Sequence, residues 1–218
     1  MYGYLPPAPK EVAGKLERED RNALGGKATL KEITLSFRSP ELPPIHVMLI
    51  VPNARKGPAP VILSMNYFGN HTLVRDPAVR LSTNWMPERG EGVVNNRATE
   101  AARGTWVGRW DIEQIVERGY AVATFYNGDV DPDRIDARGL QTHFRKPGEQ
   151  PGSHEFGAIA AWAWGLSRAV DYLVTDADIG KSRIGVTGHS RLGKAALLAA
   201  ALDERIALAI PHQAGCGG

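Results

Sequence analysis

The stretch RIGVTGHSRLGKAALLAAAL, residues 183–202, constrains the fold most tightly. An apolar, β-rich run stops at Gly188, a short polar turn follows, and from Arg191 a series of strong helix formers begins, so the segment reads as strand, tight turn and helix. Units of this kind build mostly parallel sheets covered by helices on both faces. Three readings of the turn compete. Gly188-x-x-x-x-Gly193-Lys194 approaches a phosphate-cradling loop, which needs Ser or Thr next and finds Ala195. Around Ser190 the turn approaches the G-x-S-x-G nucleophile elbow, which needs glycine at 192 and finds Leu192 and then Gly193. The plainest reading makes Ser190 only the N-cap of a helix after a glycine turn.

The rest of the chain tells how deep this unit lies. TLKEITLSF (29–37) and PIHVMLIV (44–51) read as an early antiparallel pair, and PVILSMNY (60–67) as a buried strand ending in the loop FGNHT. Residues 71–109 are polar and without periodicity, which marks a functional or poorly ordered loop. DIEQIVERG reads as a helix closed by Gly119, and YAVATFY as the next strand. After a charged loop, Ser153 is the expected N-cap of a long helix with Ile159, Trp162, Leu166, Val170 and Leu173 on one buried face. SRIGVTG, RLGKAALLAAALDE and RIALAI then give strand, helix and strand. The motif therefore follows about the fifth strand, within a single α/β domain spanning 1–218 whose abrupt ending suggests truncation before further strands.

That depth disfavours the phosphate loop, which typically follows the first strand and needs a later strand ending in Asp to hold Mg²⁺. RIALAIPHQ, after the motif, offers no such carboxylate. The charges, 26 basic against 24 acidic residues for a net +2, are scattered, so nucleic acid is not an expected partner. Lys31, Arg55 and Lys56 read as ordinary surface. No apolar run is long enough to span a membrane, and the N-terminus lacks the pattern of a signal peptide. A single cysteine, Cys216, excludes an internal disulfide and a thiolate cluster. His46, His143 and His154 carry no metal-site spacing, and DVDPDR, with Arg134 and Leu140 where a Ca²⁺ loop needs Gly and Glu, reads as a solvated turn. Trp162 and Trp164 could stack on a sugar, though the helical pattern makes Trp162 a core residue.

Gly188-His189-Ser190-Arg191-Leu192-Gly193-Lys194 resembles the G-x-S-R-x-G-K signature of the glucuronoyl esterases, carbohydrate esterase family 15. His189 is the bacterial variant of a position that is commonly Cys in fungal members. FGNHT (68–72), the Trp-bearing stretch 157–173 and the closing GCGG extend the resemblance over most of the chain, though only over the N-terminal part of a family catalytic domain. The resemblance implies an α/β-hydrolase three-layer sandwich and a serine esterase that cleaves 4-O-methyl-glucuronic acid esters between xylan and lignin, without a cofactor or metal. It implies a secreted or periplasmic protein, and a monomer is expected.

In such an enzyme Ser190 is the nucleophile, Arg191 helps to form the oxyanion hole and Lys194 binds uronate hydroxyls. His71, in the loop after the third strand, either lines the site or braces its loop. The pattern breaks at the acid: many members place a glutamate where this chain has Gln213, and an amide cannot stabilise an imidazolium. His212 follows Ser190, but at the end of the next strand, and His189 should point away from the site. The acid and histidine are therefore expected beyond Gly218. The alternatives left open are an inactive sugar-binding relative and a phosphate-loop nucleotide binder.

Overall fold

The computed structural model describes residues 2–38, 42–134, 139–145, 149 and 152–215, so Cys216 and most of the GCGG stretch lie outside the described residues. Three antiparallel strands come first: β1 (Val12–Ala23), β2 (Ala28–Phe37) and β3 (Ile45–Pro52). β4 (Ala59–Asn66) follows, then a 3-10 turn at Asn70–Thr72 and a small hairpin of β5 (Val93–Val94) and β6 (Arg97–Ala98). Two short helices, α1 (Val107–Trp110) and α2 (Ile112–Glu117), lead into β7 (Ala121–Tyr126), and α3 (Leu140–His143) precedes the long α4 (Ala158–Leu173). β8 (Ile179–His189), α5 (Arg191–Leu202) and β9 (Ile206–His212) complete the order. The main sheet runs β1-β2-β3-β7-β4-β8-β9, antiparallel as far as β7 and parallel from there.

Alternation along the strands assigns the two faces. In β3, Val47, Leu49 and Val51 pack towards α4 and α5, whereas Met48 and Ile50 pack towards Ile112 and Val116 of α2. The sheet is thus the middle of three layers, as expected, and each fully buried aliphatic side chain contributes about 1.5–3 kcal/mol.

Several expectations need correction. β1 went unread because its side chains are mostly charged and exposed, the composition that shields an edge strand from pairing with another chain. With it counted, the Ser190 turn follows the sixth strand of the main sheet rather than the fifth. The long helix is capped at Gly157, not Ser153. Its burial is not confined to one face: Ala160 to Leu166 are all buried, between the sheet, α5 and the N-terminal segment, where Trp164 Nε1 donates to the Pro7 carbonyl at 3.1 Å. Trp162, 1% exposed, is core, as its spacing indicated. Lys31 is not ordinary surface; it sits half-buried between Asp176 (3.0 Å) and Asp178 (2.8 Å), and Arg55 pairs with Asp178 as well. Among the described residues no helix is long and apolar enough to cross a membrane.

Candidate active site

β8 runs parallel between β4 and β9 and delivers Ser190 at its end, immediately before α5. Ser190 has φ 56° and ψ −123°, a conformation that costs an L-residue on the order of 1–3 kcal/mol and persists only where its surroundings enforce it. Two backbone bonds do so: Ser190 N–H donates to the His212 carbonyl at 2.9 Å, and Lys194 N–H donates to the Ser190 carbonyl at 3.1 Å. The glycines explain the spacing. A Cβ on Gly188 would collide with the Leu192 carbonyl, and one on Gly193 would lie 2.8 Å from the Gly188 carbonyl and 3.2 Å from that of His212. Leu192 is 1% exposed and anchors the first turn of α5 in the core. The position that must be bare is therefore 193, and 192 needs an apolar side chain.

Tyr67, which the sequence did not single out, clamps this turn from the loop after β4. Its hydroxyl donates to the His189 carbonyl at 2.9 Å and lies 3.5 Å from the Leu192 nitrogen, so it touches the chain on both sides of Ser190. Burial pushes its phenol pKa up. Arg191 reaches Asp133, Nη1 to Oδ1 2.6 Å, and Arg89 lies 3.9 Å from the other carboxylate oxygen. Lys194 is half-buried one helical turn beyond Ser190. His189 turns away from the serine: its Nε2 lies 2.8 Å from Gln213 Oε1, which only accepts, so the ring carries its proton there. Its ring is 5.3 Å from that of His212. No histidine ring is hydrogen-bonded to Ser190 among the described residues.

His71 makes no hydrogen bond to the Ser190 turn among the described residues. Its ring is 0% exposed, neither nitrogen has a partner among the described residues, and burial holds its pKa down at about 4, so it is a neutral ring packed in its own loop against Gly69 and Met86.

DVDPDR is not a solvated turn. Asp129 and Asp131 are each 3% exposed. Asp129 accepts from the His46 backbone N–H at 3.0 Å and from Asn84 Nδ2 at 2.7 Å, and Asp131 accepts from Gln141. Only Asp133 turns towards Arg191. Alternate residues of an irregular loop point to three different neighbourhoods, which the spacing alone could not reveal. Among the described residues no group of three or more His, Cys, Asp or Glu is placed to hold a metal ion.

A serine held in strained backbone at a strand-helix turn, on a mostly parallel sheet between two helical layers, defines the α/β-hydrolase class. The model of the family "Glucuronyl esterase, fungi" matches residues 101–218, more than half of the chain, and the chain belongs to the glucuronoyl esterase family. It is 41% identical over its whole length to a carbohydrate esterase from an unknown prokaryotic organism, covering 51% of that protein. A promiscuous CE15 esterase from a marine bacterial metagenome superposes with a TM-score of 0.88 at 41% identity, over 100% of this chain and 55% of that one. The 4-O-methyl-glucuronoyl methylesterase of Podospora anserina is 39% identical over 132 residues, 57% of this chain and 27% of that enzyme. The chain thus spans about half the length of its prokaryotic relatives, and family membership removes the phosphate-loop alternative.

Proposed function

We propose that Ser190 is the nucleophile of a carboxylic-ester hydrolase acting on esters of 4-O-methyl-glucuronic acid, the linkage between glucuronoxylan and lignin alcohols. The strained backbone of Ser190, φ 56° with glycines packed against carbonyls on either side, carries this reading, because nothing but presentation of the hydroxyl is gained by it. Ser190 Oγ attacks the ester carbonyl carbon and gives its proton to a general base. The oxyanion that forms is stabilised by the Arg191 guanidinium, which Asp133 orients, together with backbone N–H groups at the start of α5. The carbonyl carbon–oxygen bond then breaks, the alcohol leaves with a proton, and water hydrolyses the acyl-enzyme. Lys194 holds hydroxyls of the uronic sugar. We further infer that residues 1–218 belong to a single catalytic domain, which needs no cofactor and acts as a monomer outside the cytoplasm.

The described residues supply the nucleophile, its turn and two cations, but no imidazole bonded to Ser190. Hydrolysis of benzyl glucuronate by the 218-residue chain should therefore show only the ~10³–10⁴-fold enhancement over water that an oxyanion hole and binding retain without a complete triad. Mass spectrometry after incubation with an activated glucuronate ester should find the acyl group on Ser190 and none on Ser190→Ala. An adduct of equal yield on the alanine variant would overturn the assignment.

One observation favours a second reading, a sugar-binding relative without turnover. Gln213 stands where many members carry the acid, and it is hydrogen-bonded to His189. Binding of methyl glucuronate with no adduct on Ser190 would support that reading instead.

A further inference from the structure

The loop that sends Asp133 to Arg191 buries Asp129 in a different place, and that burial is unexplained by the site above. Asp129 is 3% exposed and makes no ion pair among the described residues, its oxygens held only by the His46 backbone and Asn84. A buried carboxylate without a cation costs several kcal/mol, and such residues concentrate at functional sites. Asp129 does not end in packed protein. It borders a cavity of about 250 Å³ that is also walled by Glu17, Glu32, Thr34, His46 and Arg80.

Two further groups face this cavity with bonding capacity unused. Arg80 binds Glu32 through its backbone N–H, and its guanidinium makes no hydrogen bond or ion pair among the described residues. His46 bonds Thr34 Oγ1 through Nδ1 at 3.2 Å, which leaves Nε2 unbonded among the described residues. The cavity thus presents free donors on Arg80, a His46 Nε2 that donates or accepts according to the ring's tautomer, and acceptors at Asp129, Glu17 and Glu32. Glu17 and Glu32 are already paired with Lys15 and Arg18, which leaves Asp129 against Arg80 and disfavours a strongly charged guest, and the charged side chains along the wall disfavour a wholly apolar one. A neutral polyol, whose hydroxyls donate to carboxylates and accept from cations, matches both sets. The volume falls below the ~300–1,000 Å³ of sites for drug-sized ligands, so it suits one sugar ring.

The cavity also has an exit. His46, Arg80 and Asp129 are shared with an adjoining cleft that runs past Asn84 and Trp85 to Pro132 and Arg134, the two neighbours of Asp133. Asp133, between those two residues in the chain, pairs with Arg191 beside Ser190.

We propose that the Asp129 cavity is a second sugar-binding site, taking one neutral pyranose of a polysaccharide whose uronate ester lies at Ser190. The polysaccharide part rests on the function proposed above. Xylotriose, which carries neither ester nor uronate, separates the two claims when titrated calorimetrically into the 218-residue chain. Wild type should bind it. Arg80→Ala, an exposed change at the cavity mouth, should weaken binding about tenfold, the worth of one hydrogen bond to a charged group, without moving the melting temperature. Asp129→Asn, which keeps the shape of the wall, should weaken it as well, and Lys194→Ala beside the nucleophile should bind as wild type does. Absence of xylotriose binding at millimolar concentration, or equal affinity in Arg80→Ala, would overturn the proposal. So would a matching loss in Lys194→Ala, since the trisaccharide would then sit at the nucleophile. Failure of the glucuronate ester to acylate Ser190, with this pattern intact, would remove the catalytic reading and leave the sugar site standing.

Discussion

Two connections leave the same end of the sheet and are built by opposite means. The turn from β8 to α5 is held by backbone: Ser190 N–H on the His212 carbonyl, Lys194 N–H on the Ser190 carbonyl, and glycines where any Cβ would meet a carbonyl. The segment 127–134 after β7 is held by side chains, with Asp129, Asp131 and Asp133 each taking a separate set of donors. A backbone-built turn tolerates almost no change at its glycines but is indifferent to pH. A carboxylate-built loop responds to pH, because burial without a cation changes the proton affinity of its acids.

The largest effect should come from the backbone-built side. Gly188→Ala drives a methyl group into the Leu192 carbonyl, which belongs to rigid helix backbone and has no rotamer to yield. We expect a loss of about 4 kcal/mol in urea unfolding, or failure to fold. Gly57→Ala is the control: nothing lies within 4 Å of its added Cβ, and its effect should stay within about 0.5 kcal/mol. Equal costs at the two glycines would break the contrast.

Next in size is a titration. Burial raises the Asp129 pKa to about 7, while the unfolded chain keeps an ordinary carboxylate value. Between about pH 4 and pH 7 the folded state therefore holds a proton that the unfolded state has released, so the contribution of Asp129 to stability falls as pH rises through this window and levels off above it. His46 and His71, both held down to about 4 by burial, act in the opposite sense, losing stability as pH falls below the usual histidine range. Asp129→Asn leaves the histidines in place, so the difference between the two proteins isolates the aspartate. From pH 5 to pH 8 the asparagine variant should gain on the order of 3 kcal/mol relative to wild type in urea unfolding. A difference independent of pH would mean that Asp129 titrates normally and that the loop is not built on a buried charge.

The contrast also explains what the sequence could say. Backbone constraints leave glycines, so Gly188, Ser190 and Gly193 were legible, and so was the sheet they end, from β-branched runs alternating with helix formers. Burial of a carboxylate leaves no mark. Asp129 and a solvated aspartate are the same letter, and what distinguishes them is His46 and Asn84, 83 and 45 residues away in the chain. The same blindness hid Lys31, whose partners Asp176 and Asp178 come from the far side of α4, and Tyr67, whose role depends on a carbonyl 122 residues distant. β1 escaped for a different reason: one face of an edge strand needs little hydrophobic alternation when so few of its side chains are buried.

Smaller again is the strain in Ser190 itself. Glycine accepts φ 56° and ψ −123° without a Cβ penalty, so Ser190→Gly should raise stability by about 1 kcal/mol over Ser190→Ala, after the entropic cost of glycine in the unfolded chain. For a chain of this length that is a rise of about 2–4 °C in melting temperature. A glycine variant no more stable than the alanine variant would mean that the turn is relaxed, and presentation of the hydroxyl would lose its main support.

The smallest stability effect is expected where the two connections touch, at Asp133 and Arg191. The Arg191 side chain is 44% exposed, so water and salt screen the pair, and Asp133→Asn should change unfolding free energy by less than about 1 kcal/mol. Its consequence should appear in reactivity instead, because a guanidinium released from its carboxylate no longer holds one orientation beside Ser190. Acylation of Ser190 by an activated glucuronate ester should slow about tenfold or more in Asp133→Asn while the melting temperature stays unchanged. If Asp133→Asn instead lost several kcal/mol of stability, Asp133 would be a structural acid like its neighbours and the loop would divide no labour among its carboxylates. If neither stability nor acylation changed, Arg191 would act on Ser190 without help from the loop, and the two connections would be independent.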